Sequence, residues 1–167
     1  LRFPDNSLGA IGSSGRILIS AFNFTDGVLA NDVTTATANA GLTNNLIGPW
    51  AIVDREFASY IPDLGVGRLN QVGFAGYSIN TLTGTSTGAP KATDNIRATA
   101  SVGPMVFNTT VNTFAMVNPT AAATTVNLGG NTLTLQGGGL LLALANDNVN
   151  IAISNGFITS GSGSGTL

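Results

Sequence analysis

The chain has 167 residues, enough for one domain with a sizeable core, and 43% of them are hydrophobic. Only 8% are charged and the net charge is −2, which excludes disorder driven by charge repulsion and leaves no basic patch for nucleic acid. It has no cysteine and no histidine, so disulfides, thiolate chemistry and a histidine base or metal ligand are all excluded.

Residues 1–15 read as an N-terminal segment that docks on a neighbour, with Leu1-Arg2-Phe3-Pro4 as its apolar part. Leu1, in place of an initiator methionine, reads as the start of a processed product or of its visible part. Gly9 to Gly15 superficially suggests a phosphate loop, but no lysine follows and no helix is predicted. From Arg16 onward, short segments rich in β-branched and aliphatic residues alternate with Gly, Asn, Ser and Pro. Helix formers seldom cluster, and no window sustains an amphipathic helix.

The predicted strands are Arg16–Phe22, Leu46–Val53, Tyr77–Leu82, Asn95–Ala100, Pro104–Thr109, Thr113–Val117, Thr125–Leu128, Thr132–Leu135, Gly139–Leu144, Asn148–Ile153 and Phe157–Thr159. A further extended stretch ends at Tyr60, joined to the Trp50 strand by a turn at Asp54–Glu56. In Thr132–Leu135, alternation turns Leu133 and Leu135 inward and the threonines outward. Residues 84–90, Gly-Thr-Ser-Thr-Gly-Ala-Pro, read as a surface loop. Residues 160–167 read as a Gly/Ser-rich tail or linker. The longest uncharged run, Ala98 to Asn146, is interrupted by Gly, Pro, Asn and Thr and is no membrane helix.

The stretch Thr124 to Thr159 nearly repeats itself. Val126-Asn127-Leu128 recurs as Val149-Asn150-Ile151, and Asn131-Thr132-Leu133-Thr134 recurs loosely as Asn155 to Thr159. Gly129-Gly130-Asn131, Gly137-Gly138-Gly139 and Asn146-Asp147-Asn148 fall where a coil would turn. Over residues 16–159 the sequence thus predicts an all-β fold. Its form is a β-solenoid with roughly 20–24 residues per coil. A β-sandwich or jelly roll is the alternative.

Candidate sites are few. Asp54 and Glu56 are two apart and could pair as glycosidase carboxylates, but the flanking residues read as a solvated turn. Asp26, Asp32 and Asn146-Asp147-Asn148 could offer calcium oxygens, yet no calcium-roll nonapeptide is present. Trp50, Phe57 and Tyr60 could form a glycan platform and are assigned instead to the core. Asn23-Phe24-Thr25 and Asn108-Thr109-Thr110 match the glycosylation sequon. No catalytic, cofactor-binding or metal residue is assigned.

Several segments recur in an order that resembles a known family. They are Gly48, Trp50 and Ala51; Phe57, Ala58 and Tyr60; Leu128 to Leu135; and Gly138 to Leu142. Together they resemble the autotransporter-associated β-strand repeat proteins, over roughly residues 16–160. Gly48-Pro49 stands where that family has Gly-Gly, and no stretch reads as the family's outer-membrane barrel. The resemblance implies a surface-exposed or secreted passenger, typically a right-handed parallel β-helix. The expectation is a non-enzymatic extracellular structural protein on a bacterial surface. It would be a filament, sheath or stalk subunit that self-associates head to tail through end strands. An adhesin that binds glycans or host surfaces is the alternative. A β-helical carbohydrate-active enzyme and a phage fibre segment rank below it. No cofactor, nucleic acid or membrane insertion is expected.

Overall fold

The computed structural model describes residues 17, 45–78, 82, 89–118, 122–144 and 150–161. Among these the protein is strand-rich with almost no helix, as its composition predicts. The chain divides into two compact units, Leu1–Gly76 and Tyr77–Leu167, a division the sequence reading did not place.

The described part of the first unit is an antiparallel three-stranded sheet. It comprises β1 (Ile52–Val53), β2 (Glu56–Ile61) and β3 (Gly65–Arg68), in the order β1-β2-β3. Val53 pairs with Glu56, so Asp54 and Arg55 form a two-residue loop, with φ of 45° and 62°. Positive φ at both central residues is the type I′ geometry, whose twist matches that of the flanking strands. The turn expected at Asp54–Glu56 is therefore present, without the glycine such a loop usually carries. The pairing is antiparallel, so this segment is not the parallel coil expected of it. β2 is the central strand and is nearly wholly buried, with Phe57, Ser59 and Tyr60 at most 1% exposed. Of the predicted strand Arg16–Phe22 only Ile17 is described, and its carbonyl accepts the Val66 N–H at 3.0 Å.

The second unit pairs its strands in parallel. β4 (Asn95–Ala98), β5 (Thr109–Val117), β7 (Thr132–Ala143) and β9 (Phe157–Ser160) form a four-stranded sheet in the order β4-β5-β7-β9. β6 (Thr124–Asn127) and β8 (Ile151–Ser154) form a second sheet, extended by the parallel bridge Val102–Val126. Successive parallel neighbours are thus separated by long stretches of chain, as parallel pairing demands. The side-chain hydrogen bonds between neighbouring parallel segments span 17 or 18 residues at Asn95 and 24 to 28 farther on. These spans fall below the predicted 20–24 residues at Asn95 and lie at its upper end or above it farther on. The near-repeat also aligned the wrong residues. Val126 lies beside Ile153 rather than Val149.

Two predicted strands, Thr132–Leu135 and Gly139–Leu144, merge into the single long strand β7, while Pro104–Asn108 forms no strand. The merger works because β5 accepts β7 along its length, with a register shift between Val111 and Thr113 absorbing the glycines. The core is built from one face of these strands. Ile96, Val111, Phe114, Met116, Val126, Leu133 and Leu135 are all fully buried, and Leu82, Leu128 and Met105 close around them. Full burial of each such side chain contributes about 1.5–3 kcal/mol relative to exposure. Leu133 and Leu135 point inward, as their alternation predicts.

Side chains at the bends tie sequence-distant segments together. Ser101 Oγ accepts the Thr125 N–H at 3.1 Å, and Asn108 Oδ1 accepts the Thr132 N–H at 2.8 Å. Asn127 Oδ1 accepts both the Gly129 N–H at 2.9 Å and an Asn155 Nδ2 hydrogen at 3.3 Å. Asn131 Nδ2 donates to the Met105 carbonyl at 2.8 Å. Gly129 has φ of 60°, and a Cβ there would strike the Met105 carbonyl, so the Gly-Gly-Asn bend is dictated by both backbone and space.

Candidate interaction surface

The two carboxylates singled out by spacing are each engaged separately. Asp54 Oδ2 accepts from Arg68 Nη1 at 3.1 Å, in a pair whose side chains are 28% and 27% exposed. Glu56 is 4% exposed and accepts from Asn70 Nδ2 at 3.1 Å. The register explains this: Asp54 sits in the loop, whereas Glu56 opens β2 opposite Val53. The sequence could not show Arg68 and Asn70 arriving from β3 and the turn beyond it.

Among the described residues no three metal-ligating side chains group together. Asp26, Asp32, Asp147 and the sequon at Asn23 lie outside the described residues, as do the Gly9–Gly15 segment and most of the predicted loop at 84–90. Asn108 is exposed, but its Oδ1 is held by the Thr132 N–H of β7.

The aromatic trio splits. Phe57 and Tyr60 are in the core, as expected, but Trp50 is 78% exposed. It lies in the turn before β1 with its indole nitrogen over Gly48. Assigning Trp50 to the core was therefore wrong. The chain has already turned away from β2 there, so a bulky residue at that point meets solvent.

Two strand edges end the four-stranded sheet. At one end of the four-stranded sheet, β4 is engaged by Ser78. The Ser78 N–H donates to the Asn95 carbonyl at 2.8 Å, and its Oγ accepts the Asn95 N–H at 3.2 Å. At the other end, β9 pairs with β7 only from Thr132 to Leu135. The remainder of β7, Gly139–Ala143, pairs with β5 on one side and with no described strand on the other. Leu140 and Leu142 there are 37% and 43% exposed, although they stand in register with the fully buried Phe114 and Met116. Phe157, at the start of β9, is also exposed. Sequence reasoning missed this edge. The only signal was the run Leu140-Leu141-Leu142, which breaks the alternation seen elsewhere.

No helix among the described residues is long and apolar enough to cross a membrane. Comparison with family models, with curated proteins and with solved structures finds no match for the chain.

Proposed function

We propose that the second unit is a β-solenoid and that the protein is a non-enzymatic structural subunit of an extracellular filament, sheath or stalk. The observation that carries this reading is the parallel ladder from β4 through β5 and β7 to β9, running beside the ladder β6–β8. Two parallel ladders built by the same successive stretches of chain are what stacked coils produce. Unpaired N–H and C=O groups along a terminal edge accept a further strand, and edge-on addition of copies propagates as a fibre. Low charge supports the reading, since little repulsion opposes contact between copies. The resemblance to autotransporter-associated repeat proteins supports the bacterial surface as its location. Electron microscopy and light scattering of the purified chain test the assembly. End-to-end rods are expected, and monodisperse monomers at high concentration would sink it.

A second reading, an adhesin that binds glycans, is favoured by one observation, the exposed indole of Trp50. Aromatic faces stack against sugar rings because both are amphipathic. A glycan array whose hits disappear with Trp50→Ala supports it; an array without hits removes it.

A further inference from the structure

We propose that Asn155 is a site of spontaneous covalent modification, in which its side-chain amide closes on the Gly156 nitrogen and is lost as ammonia, and that the acid left behind loosens the bend between β8 and β9. Asn155-Gly156 is the one Asn-Gly step in the chain, and every other described asparagine is followed by a larger residue. Glycine is fixed at this place, because a Cβ on residue 156 would strike the Asn131 carbonyl oxygen and the Leu128 side chain. The packing of the bend thus requires the residue that leaves the neighbouring nitrogen most open to attack. Asn155 has φ of 56°, and both it and Gly156 are exposed. The flanks of the bend are held. The Asn155 carbonyl accepts the Gly130 N–H at 2.6 Å, and the Phe157 N–H donates to the Asn131 carbonyl at 3.1 Å. Between them, among the described residues, nothing accepts the Gly156 N–H.

Loss of a proton from the Gly156 nitrogen to solvent base makes that nitrogen a nucleophile. It bonds to Asn155 Cγ, the Cγ–Nδ2 bond breaks, and ammonia leaves a cyclic imide. Water then opens the ring at either carbonyl. One product is aspartate in the ordinary chain. The other carries the peptide bond through Cγ and lengthens the main chain by one carbon. The net change is amide plus water to acid plus ammonia, with no change of oxidation state. Both products remove a donor from the bend. Asn155 Nδ2 donates to Asn127 Oδ1 at 3.3 Å, and the same oxygen accepts the Gly129 N–H at 2.9 Å. A carboxylate at residue 155 would face that oxygen with no hydrogen to give. Turning the Asn127 amide to meet it would present Nδ2 to the Gly129 N–H, so one of the two bonds is lost either way. This inference goes beyond the assembly reading and stands whether or not copies stack.

Full-length protein held in warm, mildly alkaline buffer is expected to gain about 1 Da per event, as an amide becomes an acid. Proteolytic mapping should place the first gain at Asn155, ahead of every other asparagine. Asn155→Gln should slow the gain at that peptide about tenfold, because glutamine must close a larger and less favourably placed ring. A first gain elsewhere, or an equal rate in Asn155→Gln, would overturn the proposal. Asn155→Asp supplies one product directly. It should speed amide exchange at Gly129, Gly130 and Phe157 about tenfold while leaving β5 unchanged. The aged wild-type protein gives the same readout without a substitution. Exchange at those amides that matches the fresh protein in both samples would overturn the loosening of the bend.

Discussion

Asn112 occupies the space in which Gly137 would carry a side chain. A Cβ on Gly137 would stand 2.6 Å from Asn112 Oδ1 and 3.1 Å from the Asn112 carbonyl oxygen. The contact lies at the register shift between β5 and β7, where the extra residues of β7 pass over Asn112. Gly137 is therefore required by its neighbour rather than by its own backbone angles. Gly137→Ala is expected to destabilise the fold by about 1–3 kcal/mol through overpacking. Urea unfolding should show it as a lower midpoint at unchanged slope.

Asn112 is itself held by a buried amide pair. Its Nδ2 donates to Asn95 Oδ1 at 2.7 Å, and Thr113 Oγ1 donates to the same oxygen at 2.8 Å. All three residues are buried. Asn95→Leu is expected to lower stability by about 2 kcal/mol or more, since two buried donors lose their shared acceptor. A double-mutant cycle with Thr113→Val should show coupling, because the valine side chain has no hydroxyl left to satisfy. Additive losses would mean the two groups do not act together.

Leu133 lies at the centre of the parallel core and is fully buried. Leu133→Ala should cost about 2–5 kcal/mol, the range for a large-to-small change that leaves a cavity. Thr134→Ala, on the opposite face of the same strand and half-buried, should cost much less. Thermal denaturation followed by circular dichroism separates the two, and similar losses would contradict the assigned faces of β7.

The Asp54–Arg68 pair invites the opposite expectation. Both side chains are about a quarter exposed, so solvent screens their attraction. Arg68→Ala should change stability by less than about 1 kcal/mol from the ion pair itself. Glu56→Ala should cost more, because it removes a buried side chain that opens the central strand. Paired unfolding measurements rank the two directly.

Trp50 should be nearly silent in the fold. At 78% exposure, Trp50→Ala is expected to shift stability by no more than about 0.5 kcal/mol. A blue-shifted, quencher-protected tryptophan fluorescence in the native protein would contradict its position. Since it is the one tryptophan, the signal is unambiguous.

Much of the local structure was legible before any partner was known. The inward leucines of β7 and the left-handed bend at Gly129-Gly130 follow from alternation and from which residues tolerate positive φ. The candidate surface was much less legible. Trp50, Phe57 and Tyr60 look alike in sequence, yet the first is outside and the others are in the core. Leu140 and Leu142 fall in a predicted strand whose faces the sequence leaves open, and their exposure depends on how far along β7 its neighbour β9 extends.

By itself the sequence determined a strand-rich chain with almost no helix, bends at Gly and Asn, and no histidine or cysteine chemistry. These are properties of single residues and of a two-residue period, which each segment carries alone. Only the tertiary structure decided that residues 52–68 pair antiparallel while 95–160 pair in parallel. It also decided that neighbouring parallel segments of the second unit connect over 24 to 28 residues in most places, and that, among the described residues, β9 covers β7 only from Thr132 to Leu135. The physical reason is register. A strand's partner is set by the packing of distant segments, and a slip of one residue would exchange its two faces without altering the strand's own sequence.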